Sequence, residues 1–232
     1  MINCIVGNIR KGKTSFLVCS VLKNCLSAEK LSNFKKSKQN LINQGFQISK
    51  KNAFGLYSCD TLNIEYNDYN YINFKSVKID VKKLYLNSGL YILPHSTIAI
   101  EEAQRFFPCR EFSKFSTLQS LFFQTSGHYN IDIFLDTQDI TNIDKNIRNI
   151  SRITDIKKFD IYNTKNNIVN VAKNDFFKIV YYVVEYDNIT DYTNRKNGEN
   201  KKFTFYINPF SCYNSFNKDK LFFPADKNII IE

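Results

Sequence analysis

Apolar positions along the chain fall into short clusters whose period switches between about two and about 3.6 residues, which predicts alternating strands and helices. Residues 2–6, Ile-Asn-Cys-Ile-Val, form a compact apolar run that predicts a buried strand. Phe16, Leu17, Val21, Leu22, Cys25 and Leu26 follow at helical spacing. A second helix is expected over residues 28–43, with Leu31, Phe34, Leu41 and Ile42 on one face and Gly45 as its stop. Lys30, Lys35, Lys36 and Lys38 lie elsewhere around it and read as a solvated face. Residues 53–57, 62–66 and 71–74 predict short strands between polar loops, and residues 80–86 a helix leading into Gly89.

Residues 96–100 are apolar, bounded by Pro94 before them and by Glu101-Glu102 after them. Phe112, Phe115, Leu118, Phe122 and Phe123 give residues 111–124 helical spacing, and residues 131–137 (IDIFLDT) predict another buried strand. Ile147, Ile150 and Ile153 recur every three residues, so residues 144–156 are expected to be helical. Beyond about residue 158 the pattern changes. Residues 159–162, 168–172, 176–186 and 202–207 predict strands separated by turns rich in Asn, Asp and Gly, notably Asn197-Gly198. This layout divides the chain into an α/β core over residues 1–158 and a β-rich C-terminal extension over residues 159–232, packed on that core.

Composition narrows the classes. The 232 residues can bury a substantial core, and 43% hydrophobic content is far above that of a disordered chain. No uncharged apolar run is long enough to span a membrane, because Asn87, Ser88, Pro94 and His95 break the longest one, residues 86–100. The N-terminus enters a strand at residue 2 with no basic-then-apolar leader, which predicts a protein of the host cytoplasm or one docked at the inner face of its membrane. The net charge of +10 permits a polyanionic partner. An A/T-rich genome would also explain the abundance of Lys, Asn, Ile, Phe and Tyr. Six cysteines (4, 19, 25, 59, 109 and 212) lie scattered without a C-x-x-C pair, so reduced core thiols are expected rather than a zinc site.

The chemistry concentrates in residues 7–14, GNIRKGKT, which fit G-x-x-x-x-G-K-[ST], the phosphate-binding loop or Walker A motif. Glycines let such a loop curl so that successive N–H groups face phosphate oxygens at a helix N-terminus. The expected nucleotide-binding set is Gly7, Asn8, Ile9, Arg10, Lys11, Gly12, Lys13, Thr14 and Ser15. Lys13 would reach the β- and γ-phosphates and the Thr14 hydroxyl would ligate Mg²⁺. Hydrolysis also needs a metal-side acid and a group that orients water. A hydrophobic strand ending in acids supplies both when it lies beside the loop strand, and TIAIEE, residues 97–102, is the best such segment, a Walker B candidate. Glu101 is placed on the metal side and Glu102 against the attacking water. Gln138, just past the IDIFLDT strand, would set an amide beside the γ-phosphate. An arginine from a neighbouring subunit would meet the transition-state charge; Arg148 and Arg152, four apart, are candidates, with Arg105 and Arg110 as others.

GNIRKGKTS, IAIEEAQRFFPCR and GHYNIDIFLDTQDITNIDKNIR together resemble the zonula occludens toxin (Zot) family, morphogenesis ATPases of filamentous phages in the FtsK–HerA branch of P-loop ATPases. The resemblance is good over residues 1–150 and looser over the tail, where PFSCYNSF echoes a Tyr–Ser element of the family. It implies a three-layer P-loop NTPase core of the RecA/ASCE type with a mainly parallel sheet. It also implies ATP and Mg²⁺ as cofactors, with Lys13 and Thr14 on phosphate and metal, Glu101 and Glu102 as the acidic pair, and Gln138 as sensor. A hexameric ring with nucleotide between subunits follows from the same resemblance. Family members usually continue into a transmembrane helix, and this sequence carries none, so any membrane docking is expected from an assembly partner.

The expected function is an ATP-driven motor of a phage or mobile element that moves genomic DNA during extrusion or virion assembly. A genome-packaging ATPase of the same superfamily, a nucleotide kinase and a nucleotide-binding structural subunit without hydrolysis remain as alternatives. A kinase calls for an arginine-rich lid that the sequence does not display.

Overall fold

A computed structural model of the chain describes residues 1–8, 11–46, 48, 52–67, 73–84, 92–110, 115–163 and 177–206. The N-terminal apolar run forms β1 (Ile2–Val6), and the helix-spaced residues behind it form α1 (Lys13–Cys25) and α2 (Ala28–Asn43). Then come β2 (Leu56–Cys59), β3 (Glu65–Asn67), β4 (Asn73–Lys75), β5 (Val77–Ile79) and β6 (Thr97–Ile100). The second half holds α3 (Thr117–Thr125), β7 (Asp132–Thr137), α4 (Lys145–Arg148), β8 (Arg152–Asn163), β9 (Phe177–Tyr186), α5 (Ile189–Asn194) and β10 (Glu199–Phe205).

Among the described residues, eight strands form one sheet in the order β10-β9-β8-β1-β7-β6-β2-β5. The strands from β8 to β5 run parallel, while β8, β9 and β10 pair antiparallel. This is the mainly parallel α/β sheet expected from the sequence. Strands of a parallel sheet are buried on both faces and therefore read as continuous apolar runs. Every residue of β2 and of β6 is buried accordingly. The carboxyl ends of β1, β6 and β7 open on one edge, where ligands of such sheets bind.

Helix α1 is buried through Ser15, Phe16, Leu17, Val18, Cys19, Val21, Leu22 and Cys25. It lies along the face of β7 that carries Asp132 and Asp136: Asn24 near its end donates to Asp132 at 3.1 Å and Thr14 at its start to Asp136 at 3.3 Å. Phe16 locks the helix to the antiparallel strands by edge-on contacts with Tyr181, Phe203 and Phe205. Helix α2 starts where Ser27 caps the Lys30 amide. Of the four-residue face expected, Phe34 is buried and Leu31 and Leu41 are half-buried. Phe34 is fully buried, whereas Ile42 is 42% exposed. The Phe34 ring fills the space beside Gly55, whose φ is +66° and where a Cβ would lie 2.7 Å from the ring, so glycine is required there on both counts.

Several predicted elements differ in extent. The expected helix over residues 144–156 is only α4, and Arg152 onward is strand. Asn149 caps α4, Ile150 is 43% exposed, and Ile153, Thr154 and Ile156 are buried beside β1. The threefold recurrence of isoleucines thus spans a short helix and the start of a strand, where β-branched residues pack well. Of the helix expected over residues 80–86, residues 85 and 86 lie outside the described residues, and the rest holds one 3₁₀ turn at Val81–Lys83, begun by the Asp80 side chain accepting the Lys82 amide. Helix α3 begins at Thr117 because Ser116 and Gln119 form a capping box there. The strand expected at residues 168–172 and the PFSCYNSF segment lie outside the described residues. Among the described residues, the five cysteines form no disulfide. Among the described residues, no helix is long and apolar enough to cross a membrane.

Candidate functional site

β1 leads through the loop into α1. Gly12 begins α1 with φ +68°, and its missing Cβ lets the Phe159 ring approach to 3.2 Å of where that atom would stand. The Tyr181 hydroxyl donates to the Gly12 carbonyl at 3.3 Å. The first turn of α1 has no acidic residue and no side-chain cap, and its amides and the positive end of the helix dipole face the loop. Ser15 Oγ is buried and, among the described residues, without a partner. A phosphate oxygen would satisfy that hydroxyl. Lys13 Nζ spans the loop to the Asn8 carbonyl at 3.1 Å, and Lys11 Nζ holds the Lys157 carbonyl at 3.0 Å. Gly7 backs onto Ile156, from which a Cβ would stand 3.5 Å. Ile9 and Arg10 lie outside the described residues.

The acidic strand does not lie beside the loop strand, as expected from sequence; β7 stands between them. The acids still reach the loop because the parallel strands end level with one another. Ile100 pairs with Leu135, and Ile5 with Asp136. The Thr14 hydroxyl therefore lies 3.1 Å from Glu101 Oε1 and 3.3 Å from Asp136 Oδ2. Glu101 and Glu102 turn sharply off β6. The Glu101 amide donates to the Cys59 sulfur at 3.4 Å, and the Glu102 amide to Asp136 Oδ1 at 2.6 Å. Glu102 adopts a left-handed backbone, φ 49°, uncommon for a residue other than glycine and concentrated at functional sites. Its carboxylate is half-exposed and pairs with Arg105 at 3.1 Å.

Burial and the charge of Asp136 push the Glu101 carboxyl up from 4.5 to about 7. Burial likewise lifts Asp136 from 3.8 to about 6, opposed by the Glu102 amide and by Lys13. The Lys13 ammonium is lowered by its own burial, with Asp136 and Glu102 pulling the other way. Two crowded carboxyl groups beside a hydroxyl are a hard oxygen donor set of the kind Mg²⁺ takes. Among the described residues, no three side chains are arranged to hold a metal alone. A cation here would thus share its coordination with nucleotide oxygens, the usual habit of Mg²⁺. An upward carboxyl shift supplies stability below the ordinary value and loses it as pH climbs to the folded value. In the ligand-free protein the melting temperature of wild type, measured against Glu101→Gln, is therefore expected to fall between pH 4.5 and about 7. A difference flat across that window would remove the buried-acid account of this site.

The structure thus gathers Lys13, Thr14, Glu101 and the Glu102 backbone. Gln138 directly follows Thr137, which pairs with Val6, so it sits on the loop's edge of the sheet and is exposed. Arg148 stands apart, its guanidinium donating to the Thr141 carbonyl at 3.2 Å. Arg152 pairs with Asp187 at 2.9 Å, and Arg110 is exposed. Asp136 was not among the residues singled out from sequence. The signal was a carboxylate set inside an apolar strand, two places before Gln138.

A family model described as Zonular occludens toxin (Zot) matches residues 1–160. Among solved structures, the N-terminal domain of zonular occludens toxin from Neisseria meningitidis is similar at 17% identity and a TM-score of 0.49, covering 92% of this chain and 98% of that one. The genome packaging NTPase B204 of Sulfolobus turreted icosahedral virus 2, in complex with AMPPCP, is similar at 14% identity and a TM-score of 0.46, covering 86% and 95%. No curated protein matches the chain.

Proposed function

The chain belongs to the Zonular occludens toxin (Zot) family, and from that premise we propose that it is an ATP-hydrolysing motor of a phage or mobile element that moves DNA during virion assembly or extrusion. One observation carries the hydrolytic part: the Thr14 hydroxyl at the head of α1 lies 3.1 Å from Glu101, a residue 87 positions away at the end of another strand. A loop that only bound phosphate would need no acid there. In this reading the amides of the loop, Lys13 and Ser15 hold the phosphates, while Thr14 and Glu101 hold Mg²⁺. Bound Mg²⁺ would neutralise charge on the β- and γ-phosphate oxygens. Glu102 takes the proton of the attacking water, and Gln138 orients that water or the γ-phosphate.

Arg148, whose guanidinium donates to the Thr141 carbonyl, serves the nucleotide of a neighbour in a hexameric ring of the FtsK–HerA type. Residues 1–158 form the ATPase core and residues 159–232 an extension on it. The motor works in the host cytoplasm or at the inner face of its membrane, docked through a membrane-embedded partner. The test is ATP turnover by the purified chain with and without single- and double-stranded DNA, alongside its mass in solution. A ring whose turnover rises severalfold with DNA is expected. A strict monomer indifferent to DNA would overturn the motor.

A further inference from the structure

Two aspartates occupy the same face of β7 under the same helix, four residues apart, and their surroundings are opposite. Asp132 is matched by cations: Lys30 Nζ at 2.6 Å and the N-terminal ammonium at 3.0 Å, with the Asn24 amide adding a hydrogen bond at 3.1 Å. Asp136 is more deeply buried, 2% exposed, and forms no ion pair among the described residues. An unpaired buried carboxylate is costly, so its hydrogen bonds must matter. It makes two, one through each oxygen. Oδ1 accepts the Glu102 amide at 2.6 Å and Oδ2 faces the Thr14 hydroxyl at 3.3 Å.

We propose that Asp136 is a positioning residue that ties the Glu101–Glu102 turn to the Thr14 hydroxyl, so that the acidic pair and the phosphate loop are set by one carboxylate. This rests on the hydrolytic reading above and adds a role to it. Thr14 has one proton and two facing carboxylates, Glu101 at 3.1 Å and Asp136 at 3.3 Å. If Glu101 turns its oxygens to a cation, Asp136 is the acceptor left for that proton. The hydroxyl then rotates to aim a lone pair at the same cation. On its other oxygen, Asp136 stabilises a left-handed backbone at Glu102 that a non-glycine residue adopts at a cost. The direction in which the Glu102 side chain leaves the sheet therefore depends on Asp136.

Asp136→Asn separates this role from bulk. The amide has the same shape but one acceptor oxygen in place of two: with that oxygen on the Glu102 N–H, its NH₂ donates to the Thr14 hydroxyl, occupying a lone pair instead of accepting its proton. The full-length variant is expected to melt within a few degrees of wild type. It should bind a fluorescent ATP analogue in EDTA as wild type does. It should need at least fivefold more Mg²⁺ to reach its tight-binding state, and its kcat should fall at least tenfold with KM little changed. Turnover and Mg²⁺ requirement within twofold of wild type would overturn the proposal. So would a variant that melts lower while its folded fraction turns over normally, since Asp136 would then be structural only. If the variant does not fold, wild type decides, through ¹⁵N-glutamate labelling. A Glu102 amide shifted downfield and slow to exchange supports the tie, and one exchanging freely with water refutes it. If wild type itself hydrolyses no ATP, the motor reading fails, while the Mg²⁺ titration and the amide still judge the tie.

Discussion

Glutamine in place of Glu102 is expected to leave ATP bound and unhydrolysed. Loss of a positioned general base lowers kcat by about 10²–10⁴-fold. Binding should change little, because the loop amides and Lys13 are untouched. Confounding structural loss is small at this position. The amide that Asp136 accepts belongs to the backbone, which the substitution keeps, and glutamine meets the left-handed φ on the same terms as glutamate. The interaction forgone is the pair with Arg105, whose partners are 33% and 47% exposed, and such surface pairs contribute little. Nucleotide affinity by fluorescence and turnover by phosphate release read the two sides separately. A variant that turns over within threefold of wild type would remove Glu102 from the chemistry. A wild type with no turnover to lose would make the chain a binding subunit.

Lys13→Ala is the second large effect, and it falls on the other side of that division. Its ammonium spans the loop to the Asn8 carbonyl at 3.1 Å and is partly desolvated there, which lowers its affinity for a proton. A cation already stripped of part of its water gives up less hydration on meeting phosphate, and charge-assisted hydrogen bonds are the strong ones. ATP affinity is expected to drop on the order of 10²-fold, the two to three kcal/mol carried by one such bond. Titration of a fluorescent analogue checks this. Affinity within fivefold of wild type would mean that Lys13 serves its own loop and not a nucleotide.

The parts of the site that sequence reveals are those written contiguously. β1, the loop and α1 follow one another, so GNIRKGKT and the spacing of Phe16, Leu17, Val21 and Leu22 suffice to predict a phosphate-binding loop at the head of a helix, and the strand and helix are there. TIAIEE announces its acids because they end an apolar run. What the sequence hides depends on strand order. Asp136 meets Thr14 across 122 residues, and only the insertion of β7 between β1 and β6 brings it there. Read along the chain, it is one polar letter in an apolar strand, no different from Asp132, which serves to neutralise Lys30. Arg148 shows the converse. Its spacing from Arg152 suggested a shared face, yet the two fall on a helix and a strand. A three-residue recurrence of isoleucine carries no mark of where one element yields to the next.

Strand β8 joins the two kinds of pairing in this sheet, parallel to β1 and antiparallel to β9. From it the Phe159 ring occupies the space a Gly12 side chain would need, and from β9 the Tyr181 hydroxyl grips the Gly12 carbonyl. The loop after β1 and the antiparallel strands are therefore in direct contact at Gly12. In the motor proposed above, a neighbour or a cargo that pulled on those strands would strain the loop, and a phosphate bound there would stiffen the strands in return. Load and fuel would be sensed by the same few atoms.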